Sequence, residues 1–251
     1  MKVCAINASP RGEKGNTFRI LSEIKHGMAE NGAEVNIINL KDKNIEMCIG
    51  CLRCWDKAED TEIRCVLKDD VRDILLQMLG SDMIILGTPL YYESINGLMK
   101  VFLERLVMLH NADIIEREGI YTHDTAFKVP PIAAVCSCDL PGQHNFELVS
   151  KYMKKIAFNL KTVLIAEIYQ CEARLLKWPG ESIKIITNVQ KEVWIQAGRE
   201  LSATGALSER TVSKLRTPMI KYIYYIETVK ELAKEIKEKA RKNISDGYGG
   251  Y

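Results

Sequence analysis

Five short apolar runs alternate along the first 170 or so residues with segments whose apolar residues recur at helical spacing. The run "KVCAIN" at 2–7 is nearly continuous and ends in turn-forming residues, as a parallel strand covered on both faces requires. Similar runs at 34–40, 82–88, 130–137 and 162–169 predict four more strands. Between them, a helix is predicted from Thr17, with Phe18, Leu21, Ile24 and Met28 on one face. "DDVRDILLQMLGS" opens with two acids suited to a helix N-terminus, "NGLMKVFLERL" predicts a helix burying Leu98, Val101, Phe102 and Leu106, and a further helix is expected over about 145–159. Strands and helices in this alternation imply right-handed βαβ crossovers and an α/β fold, a doubly wound five-stranded parallel sheet.

From about Leu175 the pattern turns helical with no strand signal. The expected organisation is a domain over 1–172, with a cysteine loop at 46–66, and a helical C-terminal extension over 173–251. That extension is read as closing over a site or forming a subunit contact. The closing "SDGYGGY" reads as a frayed end, and no internal repeat is visible.

Composition narrows the function classes. A net charge of +2 gives no concentrated basic face for nucleic acid, and the lysines of "KELAKEIKEKARKN" are interleaved with glutamates as on a solvated helix face. No apolar stretch approaches the roughly 18 residues needed to span a bilayer. The N-terminal apolar run is too short for a secretory leader, so the expected location is cytoplasmic. In a reducing compartment the eight cysteines point to metal or redox chemistry before disulfides.

In a doubly wound sheet, ligands bind beyond the carboxyl ends of the strands, so the loops after the strands carry the chemistry. The first, "NASPRGEKGNT" at 7–17, offers Ser9, Arg11, Asn16 and Thr17 at the start of a helix, an anion site by virtue of its free N–H groups and dipole. It lacks both G-x-G-x-x-G and G-K-[ST], which argues against a dinucleotide and against ATP hydrolysis. A flavin monophosphate fits such a loop. The second, "TPLYYESINGLMK", places Tyr91 and Tyr92 after a strand, where a flat π-system can pack, and lets Asn96 and Gly97 start the next helix. A third, "CSCDLPGQHN", puts Cys138, Asp139 and His144 near the same end of the sheet, His144 reading as a solvated side chain.

The stretch from 46 to 70 holds Cys48, Cys51 and Cys54 at C-x2-C-x2-C spacing, with ten residues between Cys54 and Cys65. Ferredoxins use that spacing for three ligands of a [4Fe–4S] cluster, and Cys65 is the natural fourth. Structural zinc and metal-free thiols are the two other readings of the same residues. Cys4, Cys136 and Cys171 read as small core residues.

Together, "SPRGEKGNT", "CIGCLRC" and "GTPLYYESINGLMKVFLER" resemble the NADPH-dependent FMN reductase family of flavodoxin-like proteins, and within it the iron–sulfur flavoprotein branch. The resemblance covers roughly residues 1–170. It implies a sheet of order 2-1-3-4-5 with FMN at the strand ends. Ser9, Arg11, Asn16 and Thr17 match the phosphate loop, while Pro89, Leu90, Tyr91, Tyr92 and Ser94 match the segment bordering the isoalloxazine ring, with Cys138 nearby. The loop after the fourth strand departs from the family's more glycine-rich turn, and the family's fourth cysteine comes sooner than Cys65.

The resemblance further implies an NAD(P)H-dependent FMN reductase-type oxidoreductase passing electrons from NAD(P)H or a ferredoxin-like donor to a small acceptor such as a quinone or flavin, as a homodimer or homotetramer. An electron-transfer flavoprotein without its own substrate and a metal- or thiol-sensing protein are the alternative readings.

Overall fold

The computed structural model describes residues 1–56, 62–125 and 127–245. The chain runs β1 (Lys2–Asn7), α1 (Asn16–Glu30), β2 (Glu34–Asn39), α2 (Val71–Leu79), β3 (Met83–Tyr91), β4 (Ser94–Ile95) and α3 (Gly97–Glu104). It continues through β5 (Ile114–Arg117), β6 (Ile120–His123), β7 (Ile132–Ser137), α4 (Glu147–Asn159), β8 (Leu164–Gln170), α5 (Glu181–Thr204), α6 (Glu209–Arg216) and α7 (Tyr222–Ser245). The main sheet has the order β2-β1-β3-β7-β8, all parallel. Counted among the parallel strands alone, this is the expected 2-1-3-4-5.

Every residue of β7 and all but the first of β1 are buried, as continuous apolar runs require of strands covered on both faces. One core lies between the sheet and α2, α3 and α4, built around Ile6, Leu86, Phe102 and Phe146. The second lies between the sheet and α1 and α5, built around Val3, Ile24, Ile85 and Trp194. The helix faces turn slightly from the predicted ones. In α1, Ile20 is buried and Phe18 only half-buried; around α3, Met99 and Leu103 take the core positions while Leu98 and Val101 sit at its margin.

β3 runs three residues past the expected strand end. It folds back through Tyr92 and Glu93, both at positive φ (47° and 67°), into the short antiparallel β4. The hairpin β5–β6 has no counterpart in the sequence reading. Its turn, Glu118-Gly119 at φ 52° and 75°, is a poorer signal than Asn-Gly, and neither strand is buried.

Helix α5 crosses α1 at backbone contact. A Cβ on Gly27 would lie 1.9 Å from the Ile195 carbonyl oxygen, and one on Gly198 would lie 2.1 Å from that of Ile24. Helix α5 therefore covers the same sheet face as α1. The expected frayed end at 245–251 lies, beyond Ser245, outside the described residues.

Candidate functional site

A cleft of about 270 Å³ opens at the carboxyl ends of β1, β3, β7 and β8. The loop before α1 reaches it because Ser9 is fixed from below: its N–H donates to Asn7 Oδ1 (3.1 Å), and its Oγ accepts from the Arg11 N–H (3.3 Å). Gly15 begins α1 without a side-chain cap, so the N–H groups of the first turn stay free for an anion. A Cβ there would fall 2.1 Å from Ser9 Oγ. Behind the loop, Thr17 Oγ1 and Ser137 Oγ share a hydrogen bond of 3.0 Å. Asn16 Nδ2 donates to the Ala173 carbonyl (2.7 Å), while its Oδ1 is buried with no hydrogen-bond partner. That orphaned acceptor belongs to a residue lining the cleft, and a buried polar atom left without a partner is the mark of a site completed by a ligand.

Of the residues the resemblance assigns to the flavin, Ser9, Arg11, Asn16, Thr17, Pro89, Leu90, Tyr91 and Cys138 line this one cleft. Tyr92 and Ser94 do not. Tyr92 sits at the apex of the β3–β4 turn, fully exposed, and Ser94 pairs back against Tyr91.

Asp139, which the third loop was expected to bring to this end of the sheet, lines the cleft, and the structure adds Arg174 and Lys177, which the sequence reading did not assign to it. Their signal was the pair of cations just past the last strand, in "CEARLLK". Arg174 pairs with Asp139, which also accepts from the Tyr225 hydroxyl at the start of α7. Burial, then repulsion from Arg11 and Arg19, holds the Lys177 ammonium below its ordinary pKa. A surplus of positive charge in a half-closed cleft suits a phosphate dianion.

The four loop cysteines, Cys48, Cys51, Cys54 and Cys65, line a second cavity of about 350 Å³. Gly50 (φ 65°) and Leu52 (φ 56°) adopt left-handed backbone between the first three, wrapping the loop about that space. Burial, then the proximity of Cys65, Cys48 and Cys51, raises the Cys54 thiol above its ordinary pKa. Arg105 also lines this cavity, and continues the buried stripe of α3 one turn past Phe102. Its guanidinium donates to Cys65 Sγ (3.3 Å), the Glu46 carbonyl (2.9 Å) and Asp69. The stripe Leu98–Phe102 extended to Arg105 was the available hint. Among the described residues no three Cys, His, Asp or Glu side chains are placed to ligate a single metal ion.

A parallel sheet of this order, with an uncapped helix N-terminus and hydroxyls under a strand-end cleft, defines a flavodoxin-like protein. The family model for NADPH-dependent FMN reductase matches residues 1–169, and the chain belongs to that family. It is 39% identical over 105 residues to an iron-sulfur flavoprotein of Methanocaldococcus jannaschii, covering 42% of this chain and 51% of that one. It is 38% identical over 121 residues to an iron-sulfur flavoprotein of Archaeoglobus fulgidus, covering 48% and 56%. The chain thus spans about half the length of the curated relatives it matches.

Among solved structures, its fold is similar to an FMN-dependent NADH-azoreductase of Bacillus anthracis (TM-score 0.59, 14% identity, 80% of this chain and all of that one). It is also similar to an NAD(P)H:quinone oxidoreductase of Methanothermobacter marburgensis (TM-score 0.57, 15% identity, 80% and 96%). No helix among the described residues is long and apolar enough to cross a membrane.

Proposed function

We propose that the protein is an FMN-dependent oxidoreductase that moves electrons between NAD(P)H, or a ferredoxin-like donor, and a small acceptor such as a quinone or free flavin. The observation that carries this reading is the convergence of Ser9, Arg11, Asn16 and Thr17 with 89–91 on one strand-end cleft. Ser9, Thr17, the first-turn N–H groups of α1, Arg11 and Lys177 would hold the phosphate, and Asn16 Oδ1 would accept from a ribityl hydroxyl, the donor it lacks. Pro89, Leu90 and Tyr91 would border the ring. Bound there, FMN would supply hydride and single-electron chemistry. The chain's part is to orient it, exclude water and place positive charge at its phosphate.

The cysteine cavity supports a [4Fe–4S] cluster over zinc. A cluster is wider than one ion and asks for thiols spread around a space, which is how these four stand. Arg105 would offset the negative charge of the thiolates. The two sites lie at opposite ends of α3, since Asn96 caps it beside Thr88 and the Ala8 carbonyl, and Arg105 ends it at the cysteines. Nine helical rises separate Asn96 from Arg105 by about 14 Å.

A domain over 1–172 with its extension over 173–251, a cytoplasmic location and a homodimer or homotetramer belong to the same reading. Exposed Tyr222, Ile223 and Tyr224 on α7 offer a subunit surface.

An absorption spectrum of protein purified without oxygen, with iron and acid-labile sulfide assayed on the same sample, tests it. Flavin bands with about four irons per chain are expected. Flavin without iron would leave an FMN reductase with structural thiols, and absence of flavin would sink the proposal. Steady-state NAD(P)H oxidation with quinone separates an enzyme from a carrier, which turns over slowly.

A further inference from the structure

Two cysteines outside the metal-type loop meet at the cleft. The register of β7 and β8 pairs Ser137 with Gln170. Pairing continues one residue further: the Cys138 N–H donates to the Gln170 carbonyl and the Ala173 N–H to the Cys138 carbonyl, both at 2.9 Å. Glu172, at φ 57°, is bulged out between them, so Cys171 stands beside Cys138. Adjacent strands lie about 4.8 Å apart, within the roughly 4.4–6.8 Å that a disulfide spans between Cα atoms.

The thiols already interact. The Cys138 thiol donates to the Leu140 carbonyl (3.1 Å) and lies against Cys171. The contact with Cys171, then burial, raises the Cys138 thiol, while the proximity of Cys138 lowers that of Cys171. Both are 5% exposed, yet Cys138 lines the cleft. A lowered pKa favours thiolate at one sulfur while the other is within reach of a ligand, as in exchanging dithiols.

We propose that Cys138 and Cys171 form a redox-active dithiol that closes reversibly to a disulfide and gives the cleft a second activity, reduction of small disulfides. In the closing half, Cys138 passes its proton to the neighbouring Cys171 thiolate as its sulfur attacks one sulfur of the external disulfide, breaking its S–S bond and releasing one thiolate, which solvent protonates. Cys171 sulfur then attacks Cys138 sulfur in the mixed disulfide, and the second thiol leaves with the remaining proton. Two protein thiols are oxidised and one external disulfide is reduced. In the reopening half, reduced flavin bound in the cleft would supply the two electrons and two protons that return Cys138 and Cys171 to thiols. This half rests on the flavin reading above.

The test is equilibration of the full chain, without added flavin, in glutathione buffers from reduced to oxidised, followed by acid quench, alkylation and peptide mass spectrometry. Alkylation of Cys138 and Cys171 should fall together by about tenfold or more, with a Cys138–Cys171 linked peptide appearing. In Cys171→Ser, Cys138 should instead retain one glutathione. Both thiols staying open in oxidised buffer, or each linking elsewhere, would overturn the proposal, and the wild-type map decides this even where the variant fails to fold.

Flavin-loaded protein with the bond closed is then reduced by NAD(P)H without oxygen and alkylated. Recovery of both thiols supports the reopening half; bleached flavin above an intact disulfide overturns it. A chain that binds no flavin refutes the proposed function and leaves the glutathione result standing.

Discussion

Arg105 and Asp69 form an ion pair in which each side chain is 1% exposed, with Nη1–Oδ2 at 2.5 Å and Nη2–Oδ1 at 3.2 Å. The same guanidinium holds the Glu46 carbonyl and Cys65 Sγ, so one residue ties both ends of the cysteine loop. Removing one partner leaves the other charge buried and alone, at a cost of about 3–5 kcal/mol. Arg105→Met is expected to lose stability on that scale in denaturant unfolding and to lower iron per chain. Arg105→Lys keeps the charge without the two-pronged geometry and should fall between.

The pair also sets an acid limit. Burial alone would raise the Asp69 carboxyl, but hydrogen bonds from Arg105 and from the Glu46 and Val71 N–H groups outweigh it and hold the pKa below its ordinary value. The unfolded chain therefore binds the proton first. The contribution is complete above the unfolded carboxylate pKa of about 4 and is lost as pH falls through the lower folded value. Asp69→Asn should lose stability at neutral pH and show a shallower decline between about pH 5 and 2, measured by urea unfolding at each pH.

A change at Lys177 tests the proposed phosphate position apart from the ring. Near Arg11 and Arg19, its ammonium has surplus positive charge around it, which a phosphate would relieve. In Lys177→Met, FMN affinity should drop by about tenfold, close to 1.4 kcal/mol, while riboflavin, which has no phosphate, binds as before. Fluorescence titration with both ligands checks it. Equal loss for both would place the phosphate elsewhere.

What the sequence disclosed follows from where the information is local. Burial on both faces wrote the runs of β1 and β7 directly into composition, and Asn96 was visible as a helix start because capping is a short-range device. Lys177 and Arg174 were not legible, since they reach the cleft only through the crossover that brings β8 beside β7. The Cys138–Cys171 meeting is of the same kind, fixed by strand register across 33 residues of chain. Tyr92 shows the reverse case: its place beside Tyr91 suggested a ring-stacking pair, and a turn at φ 47° carries it into solvent.

The crossing of α1 and α5 makes Gly27 and Gly198 the most size-sensitive positions away from the cleft. Each added Cβ meets a main-chain carbonyl at about 2 Å, not a side chain that can rotate. Gly198→Ala is expected to force the helices apart at a cost of about 1–3 kcal/mol, lowering Tm by about 3–10 °C. Because α5 covers the sheet face opposite α3, flavin and iron content of the folded fraction should be unchanged in calorimetry-matched samples.

Cys4 separates a core thiol from the loop thiols. Burial in the middle of β1 pushes it up to about 11, whereas Cys51 is exposed. In native protein at pH 8, iodoacetamide should therefore leave Cys4 untouched, and in metal-free protein it should modify Cys51. An acid whose folded pKa is raised supports the fold while neutral. Its contribution is present below the unfolded thiol pKa of about 8.5 and is lost as pH rises towards the folded value. Cys4→Ala should flatten the stability profile between about pH 9 and 11, while leaving iron content unchanged. Loss of iron in that variant would mean that Cys4, and not Cys65, completes the ligand set.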